Sequence, residues 1–172
     1  LADLRDADLE GADIRGAEVN GANLNGANLA RARLTDSDGD PLEMLGKDGK
    51  KTGQRQVTRF STANLREAQL DGAQFRDGVF NDANLSRSTC DGAKLAGANF
   101  EKADLSGSSL RRADLSDANL AGANLSGARM DFVRLRNADL SGAETNDATL
   151  VGADVTGTIL QSKDGPRGKT PA

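Results

Sequence analysis

Apolar residues recur along this chain at every fifth position. From Leu4 to Leu34 each fifth residue is Leu, Ile or Val, and the residue two places before it is always Ala. The pattern is absent after Leu34, returns at Phe60 and runs to Leu160. In this second block 20 of the 21 centres are apolar or Cys, and Thr145 is the exception. The chain is therefore an array of five-residue units that is interrupted once.

A period of five excludes the regular secondary structures. In a helix each centre would lie about 140° from the last one, so that no apolar stripe would form. In a flat strand successive centres would point to opposite faces. The pattern is satisfied if the chain turns once per unit. The apolar residue (the centre position) and the Ala two places before it (the small position) then point inward, and the residue between them (the outward position) points to solvent.

The remaining two residues of each unit form the bend. We call them the first and second corner positions, and the second is frequently Gly, which tolerates backbone conformations that other residues avoid. The outward position is frequently Asp or Asn, whose side chains hydrogen-bond nearby backbone groups in turns. The pattern predicts a stacked coil of short extended segments and turns.

The repeated unit, seen in Ala118-Asn119-Leu120-Ala121-Gly122, resembles the consensus of the pentapeptide-repeat family. The resemblance covers residues 1–160 apart from the interruption. It implies an all-β fold, a right-handed, four-sided (quadrilateral) β-helix solenoid with four units per coil, about seven coils and one projecting loop. Residues 20 apart would then stack, which predicts a ladder of Phe60, Phe80 and Phe100, with Phe75 on another side.

The predicted organisation is a single β-helix domain over 1–160, followed by a disordered tail over 161–172. The repeat units occupy 1–34 and 58–160, and the inserted loop covers 35–57. Within the loop, Asp40 is predicted to cap a short helical turn that ends at Gly46. Acidic residues precede basic ones in this segment. One interpretation is a solvated loop whose halves pair with each other; the other is a contact element for a partner.

Composition limits the chemistry. The chain has no His, which excludes Ser-His and Cys-His pairs and imidazole metal sites. We therefore predict no enzymatic activity, no metal site and no cofactor. Cys90 falls at a centre position and is expected to be a small buried residue. No run of about 18 apolar residues is present, so no membrane span is expected. The compartment is left open because the chain starts in register without Met, with the cytoplasm favoured.

The sequence predicts a structural or protein-interaction scaffold that binds through an outer face or the 35–59 segment. The candidate partner-binding residues are Lys47, Lys50, Lys51, Arg55, Arg59 and Phe132. Phe132 falls at a second corner position and is expected to be exposed among arginines. Thr145, by contrast, is expected to point inward. End-to-end or face-to-face association of identical chains is a further expectation.

The resemblance implies an alternative function. Some pentapeptide-repeat proteins mimic duplex DNA and bind DNA gyrase, which confers resistance to quinolones. The projecting loop agrees with this alternative. The net charge of only −4, from 22 basic and 26 acidic residues, and the arginines spread over the outside of the predicted helix disagree with it. Direct binding to nucleic acid is not expected of an acidic chain.

Overall fold

The computed structural model describes residues 2–45 and 49–160, and it forms a right-handed, four-sided β-helix. Isolated parallel bridges join outward positions of successive coils, and most join residues 20 apart, as in Asp3 with Asn23 and Asn99 with Asn119. Four five-residue units therefore complete one coil, as the resemblance implied. We number the sides of the helix one to four in chain order, starting from the unit of Leu4.

The backbone bonds follow from this stacking. The N–H of a centre residue donates to the outward carbonyl one coil further on, as in Leu85 to Asp104 at 2.7 Å. Each turn is closed inside the coil, as in Ala27 to Leu24 at 3.1 Å. The outward Asn or Asp side chain adds the predicted hydrogen bond to a nearby backbone group. Asn119 Oδ1, for example, accepts the N–H of Ala121 at 3.0 Å.

The core is made of the centre and small positions. From Ala22 to Leu135 the apolar residues at these positions are at most 2% exposed. The predicted aromatic ladder is confirmed, because Phe80 stacks on Phe60 and on Phe100 with ring centroids 4.7 Å apart in both cases. Phe75 comes from the fourth side and meets the edge of this stack, 5.1 Å from Phe60 at an interplanar angle of 86°.

The helix does not leave its path at Leu34, where the sequence pattern stops. Asp38 bridges to Glu18 below and to Gln74 above, so that 37–41 form an eighth unit with Gly39 at its centre. Bridges that span the insertion join residues 36 apart, such as Asn23 with Arg59, where the others are 20 apart. Sixteen residues, 42–57, are therefore inserted, and the predicted loop of 35–57 was too long.

The insertion is a β-hairpin and not the predicted helical turn. Strand β1, Leu42–Leu45, pairs antiparallel with strand β2, Lys51–Gln56, and a register irregularity lies between Glu43 and Leu45. A single helical turn closes very few hydrogen bonds for the residues that it fixes. Pairing the two segments satisfies the backbone of both.

Thr145 is exposed, contrary to the prediction that it points inward. It lies in the seventh coil, and the second side carries no further unit above it within the described residues. Exposure here reflects position at the end of the stack and not a change of the repeat. The predicted disordered tail at 161–172 and the candidate residue Lys47 lie outside the described residues.

Candidate functional site

Where the hairpin leaves the helix, Thr58 satisfies the backbone groups of Gly21 and Gly39. At other corners the second corner N–H donates to a first corner carbonyl of the next coil, as in Gly16 to Thr35 at 3.0 Å. At the junction Gly21 N–H instead donates to Thr58 Oγ1 at 3.1 Å. The buried Thr58 hydroxyl lies 2.8 Å from the carbonyl oxygen of Gly39, to which it donates. A Thr hydroxyl thus replaces the carbonyl that this corner has lost.

The space left by Gly39 is also filled. A Cβ atom built on Gly39 would lie 2.2 Å from ring carbons of Phe75. The Phe75 ring of the next coil therefore occupies the volume that a Leu at this centre position would take. Thr58 was the one sequence signal at this junction, because it stands at a small position that is usually Ala.

One ion pair joins the hairpin to the helix, and another joins two coils of the helix at the base of the insertion. Asp40, just before β1, accepts the backbone N–H of Arg76 at 2.9 Å and pairs with its guanidinium group. Arg55 on β2 pairs with Asp77 at 3.3 Å. The hairpin is also closed on itself, because Lys51 pairs with Glu43 at 2.5 Å and Thr52 Oγ1 donates to the Met44 carbonyl at 2.9 Å. The sequence did not indicate Arg76 or Asp77 as partners.

The structure brings some of the candidate residues together and separates others. Lys50, Lys51 and Arg55 belong to the hairpin, and all three are exposed. Arg59 belongs to the helix itself, where it bridges Asn23 and Val79 on the first side. Phe132 lies in the sixth coil at the corner between the third and fourth sides. Three coils separate it from the hairpin, roughly 15–20 Å along the axis.

Phe132 is exposed, as its corner position predicted. Its side chain is 56% exposed, and the guanidinium carbon of Arg112 lies 5.8 Å from the ring centroid. The ring borders a groove of about 610 Å³ that also contains Val151. The hairpin and the Phe132 corner thus form two separate surfaces on one scaffold.

The outward charges form no continuously acidic side. The second side has acids and amides and no basic residue at its outward positions: Asp8, Asn28, Asn64, Asn84, Asp104, Asn124 and Glu144. The first side carries Arg59, the third carries Arg33 and Arg129, and the fourth carries Lys94 and Arg134. Basic and acidic residues are therefore mixed at the outward positions of three of the four sides.

The described residues offer little reactive chemistry. Burial raises the pKa of the Cys90 thiol to about 12, so that the group stays protonated at neutral pH. Among residues 2–45 and 49–160 no cluster of three or more His, Cys, Asp or Glu has the arrangement of a metal site. The same residues contain no helix with the length and apolar character needed to cross a membrane. What remains is a repeat scaffold with two unusual surfaces.

Comparison with known families places this scaffold in one of them. A family model of pentapeptide repeats matches the chain in eight copies, over residues 2–38, 58–82, 83–121 and 118–161. The chain belongs to the pentapeptide-repeat family, whose members are in general non-enzymatic structural repeat proteins. The matched segments omit 39–57, which contains the hairpin. Among curated proteins none matches the chain.

Solved structures of pentapeptide-repeat proteins resemble the chain. HetL, involved in heterocyst differentiation regulation in the cyanobacterium Nostoc sp. strain PCC 7120, is 25% identical over 92% of this chain and 89% of its own, with a TM-score of 0.29. A thylakoid lumen protein of Arabidopsis thaliana is 34% identical over 59% and 70%, with a TM-score of 0.29. QnrB1, a plasmid-mediated fluoroquinolone resistance protein, is 17% identical over 95% and 93%, with a TM-score of 0.29.

Proposed function

We propose that this protein is a non-enzymatic interaction scaffold that binds a protein partner through the 42–57 hairpin. The observation that carries the proposal is the junction. Thr58 and Phe75 restore a hydrogen bond and the packing that an insertion disrupts, so the helix keeps its register across it. Hairpin residues 42–44 and 49–57 contribute no side chain to the buried core. Because the helix accommodates the hairpin and the hairpin adds nothing to the core, we expect the hairpin to act at the protein surface.

The hairpin has the features of a contact element. Its sheet has two strands, so each strand has one edge that the other strand does not cover. Such edges bind extended segments of other chains. The five residues from Lys51 to Arg55 are all exposed. Lys51 and Arg55 hold their carboxylate partners in exposed pairs, which are weak enough to exchange. We therefore expect a partner that presents an extended segment with acidic side chains.

The test compares the intact chain with a hairpin deletion. Removal of 42–57 should be combined with Pro41→Gly, because the second corner position has positive φ elsewhere in the helix and Pro cannot adopt it. Both forms are immobilised and used to capture proteins from the source organism. A partner kept by the intact chain and lost by the deletion supports the proposal. Partners that bind both forms equally would refute it.

A charge-reversal pair sharpens this experiment. Lys51→Glu with Arg55→Glu should weaken capture of the same partner at least tenfold, since both cations face the proposed acidic segment. Arg87→Glu is the matched control, because Arg87 is equally exposed but lies on the corner between the second and third sides. Unchanged capture by the double variant would contradict an acidic partner.

The second candidate function is DNA mimicry toward DNA gyrase. The second side favours it, since its outward positions carry acids and amides without a basic residue. The mixed charge of the other three sides weighs against it. A supercoiling assay with gyrase, with and without a quinolone, decides the matter. Inhibition of supercoiling or relief of drug-stabilised cleavage supports mimicry, and no effect at micromolar protein removes it.

A further inference from the structure

Phe132 occupies a backbone position that is unfavourable for its side chain. Fourteen described residues other than Gly have positive φ, and all stand at second corner positions. Thirteen of them are polar; the exception is Phe132, with φ of 58°. A bulky residue in this left-handed region is a conformational outlier. Such strain persists where the side chain serves something other than stability.

The ring is displayed and not buried. Phe132 is 56% exposed and its neighbour Val151, one coil further on, is 69% exposed. A Cβ atom on Gly152 would lie 2.6 Å from the ring, so the absence of a side chain there lets the ring lie along the corner. Phe132 and Val151 together form an apolar surface on one wall of the groove.

The groove has one cation that no carboxylate neutralises. Asp91 Oδ1 accepts Ser109 Oγ at 2.6 Å and the backbone N–H of Arg111 at 3.0 Å. Asp131 pairs with the Arg111 side chain at 3.4 Å. Arg112 lies against the Phe132 ring and makes no ion pair with any described residue. Both carboxylates of the groove are thus engaged, while the Arg112 guanidinium is available.

We propose that this groove docks an extended acidic peptide of a partner protein. An apolar side chain of the peptide packs on Phe132 and Val151, and a carboxylate two or three residues away binds Arg112, whose planar guanidinium suits that group. The groove extends from Asp91 in the fourth coil to Val151 in the seventh. Three coil rises span roughly 14 Å, the length of about four extended residues. The site lies apart from the hairpin and does not depend on it.

The first test selects the ligand without assuming its sequence. A display library of random octapeptides is selected on the intact protein, and binders to Phe132→Asn are removed. Asn adopts positive φ readily and stands at the next corner as Asn137, so this variant stays folded. We expect enriched peptides to combine Asp or Glu with Leu, Ile, Phe or Trp. Basic peptides, or no enrichment over the variant, would overturn the proposal.

The second test measures an enriched peptide by fluorescence anisotropy. Arg112→Gln should weaken binding at least tenfold, and Phe132→Asn should abolish it at an unchanged or higher melting temperature. Arg87→Gln is the matched control, because Arg87 also stands at a second corner position, with φ of 58°, on the preceding corner. Affinity that is the same for Arg112→Gln and for the intact protein would refute the assigned carboxylate contact.

Discussion

The hairpin junction and the Phe132 corner both depart from the repeat. Neighbouring residues compensate for the departure at the junction but not for the one at the corner. At the junction the lost acceptor and the lost volume are both replaced, because Thr58 supplies an acceptor and Phe75 fills the space above Gly39. At the corner the disturbance remains, because Phe132 keeps an unfavourable φ and an exposed ring. An insertion between units must be repaired if the coils are to stay in register. A substitution at a corner needs no repair, since it leaves the stack intact.

The comparison predicts mutations of opposite sign at the two places. Substitutions of the residues that compensate for the insertion, Thr58 and the Phe75–Phe80 contact, should destabilise the helix. Substitutions at the corner should leave the free energy of unfolding unchanged or raise it.

Phe80→Ala should have the largest effect on stability. Phe80 stacks between Phe60 and Phe100 and touches the edge of Phe75, which fills the junction. The cavity should cost about 3–5 kcal/mol of unfolding free energy, measured by chemical denaturation. Phe80→Leu is the control, since Leu occupies most centre positions. An equal loss for Ala and Leu would show that ring stacking, and not volume, supports the junction.

Thr58→Ala should destabilise the helix by about 1–3 kcal/mol. The change leaves the buried N–H of Gly21 without its acceptor, although Ala is the usual residue at a small position. Thr58→Ser keeps the hydroxyl and should retain most of the stability. If Thr58→Ala were as stable as the parent in denaturant titrations, the hydroxyl would not be replacing a carbonyl.

Phe132→Asn should stabilise the helix by about 1 kcal/mol, because relief of the left-handed conformation outweighs the loss of a half-exposed ring. At a position without this backbone strain, a change to Asn would bring no such gain in stability. Melting curves of Phe132→Asn and the parent at equal concentration measure the difference. A lower melting temperature would mean that the ring belongs to the packing and not to a binding surface.

Ser37→Ala should stabilise the helix by about 1 kcal/mol. Its hydroxyl is the one buried side-chain polar atom that lacks a partner among the described residues. Ser108→Ala is the matched control at another small position, where Ser108 Oγ donates to the Leu105 carbonyl at 2.7 Å. We expect Ser108→Ala to be neutral or destabilising. Equal changes for the two serines would exclude hydrogen bonding as the cause.

The sequence predicted those features that repeat. The five-residue period predicted the coil. The four units per coil that the family resemblance implies made residues 20 apart stack, and so placed Phe60, Phe80 and Phe100 in one ladder. It also placed Phe132 at an exposed corner, because the second corner position points outward in every unit. Once the family geometry is given, these features follow from positions in the repeat and need no knowledge of individual tertiary contacts.

The junction could not be predicted in the same way. The eighth unit has Ser37 at its small position and Gly39 at its centre, so it carries no apolar signal. The packing of this unit is completed by Phe75, which is distant in sequence and comes next to Gly39 only when the coils stack. Thr145 was predicted to point inward because it falls at a centre position. At the end of the stack, however, the exposure of a centre residue depends on whether another coil covers it. Both cases depend on tertiary neighbours.

The central claim is that the hairpin is separable from the helix. Its most direct test is the melting temperature and circular dichroism of the chain that lacks 42–57 and carries Pro41→Gly. We predict an unchanged β-type spectrum and a melting temperature within about 5 °C of the parent, which corresponds to about 1–2.5 kcal/mol of unfolding free energy. Loss of the β-type spectrum would contradict it, since the hairpin would then be part of the fold.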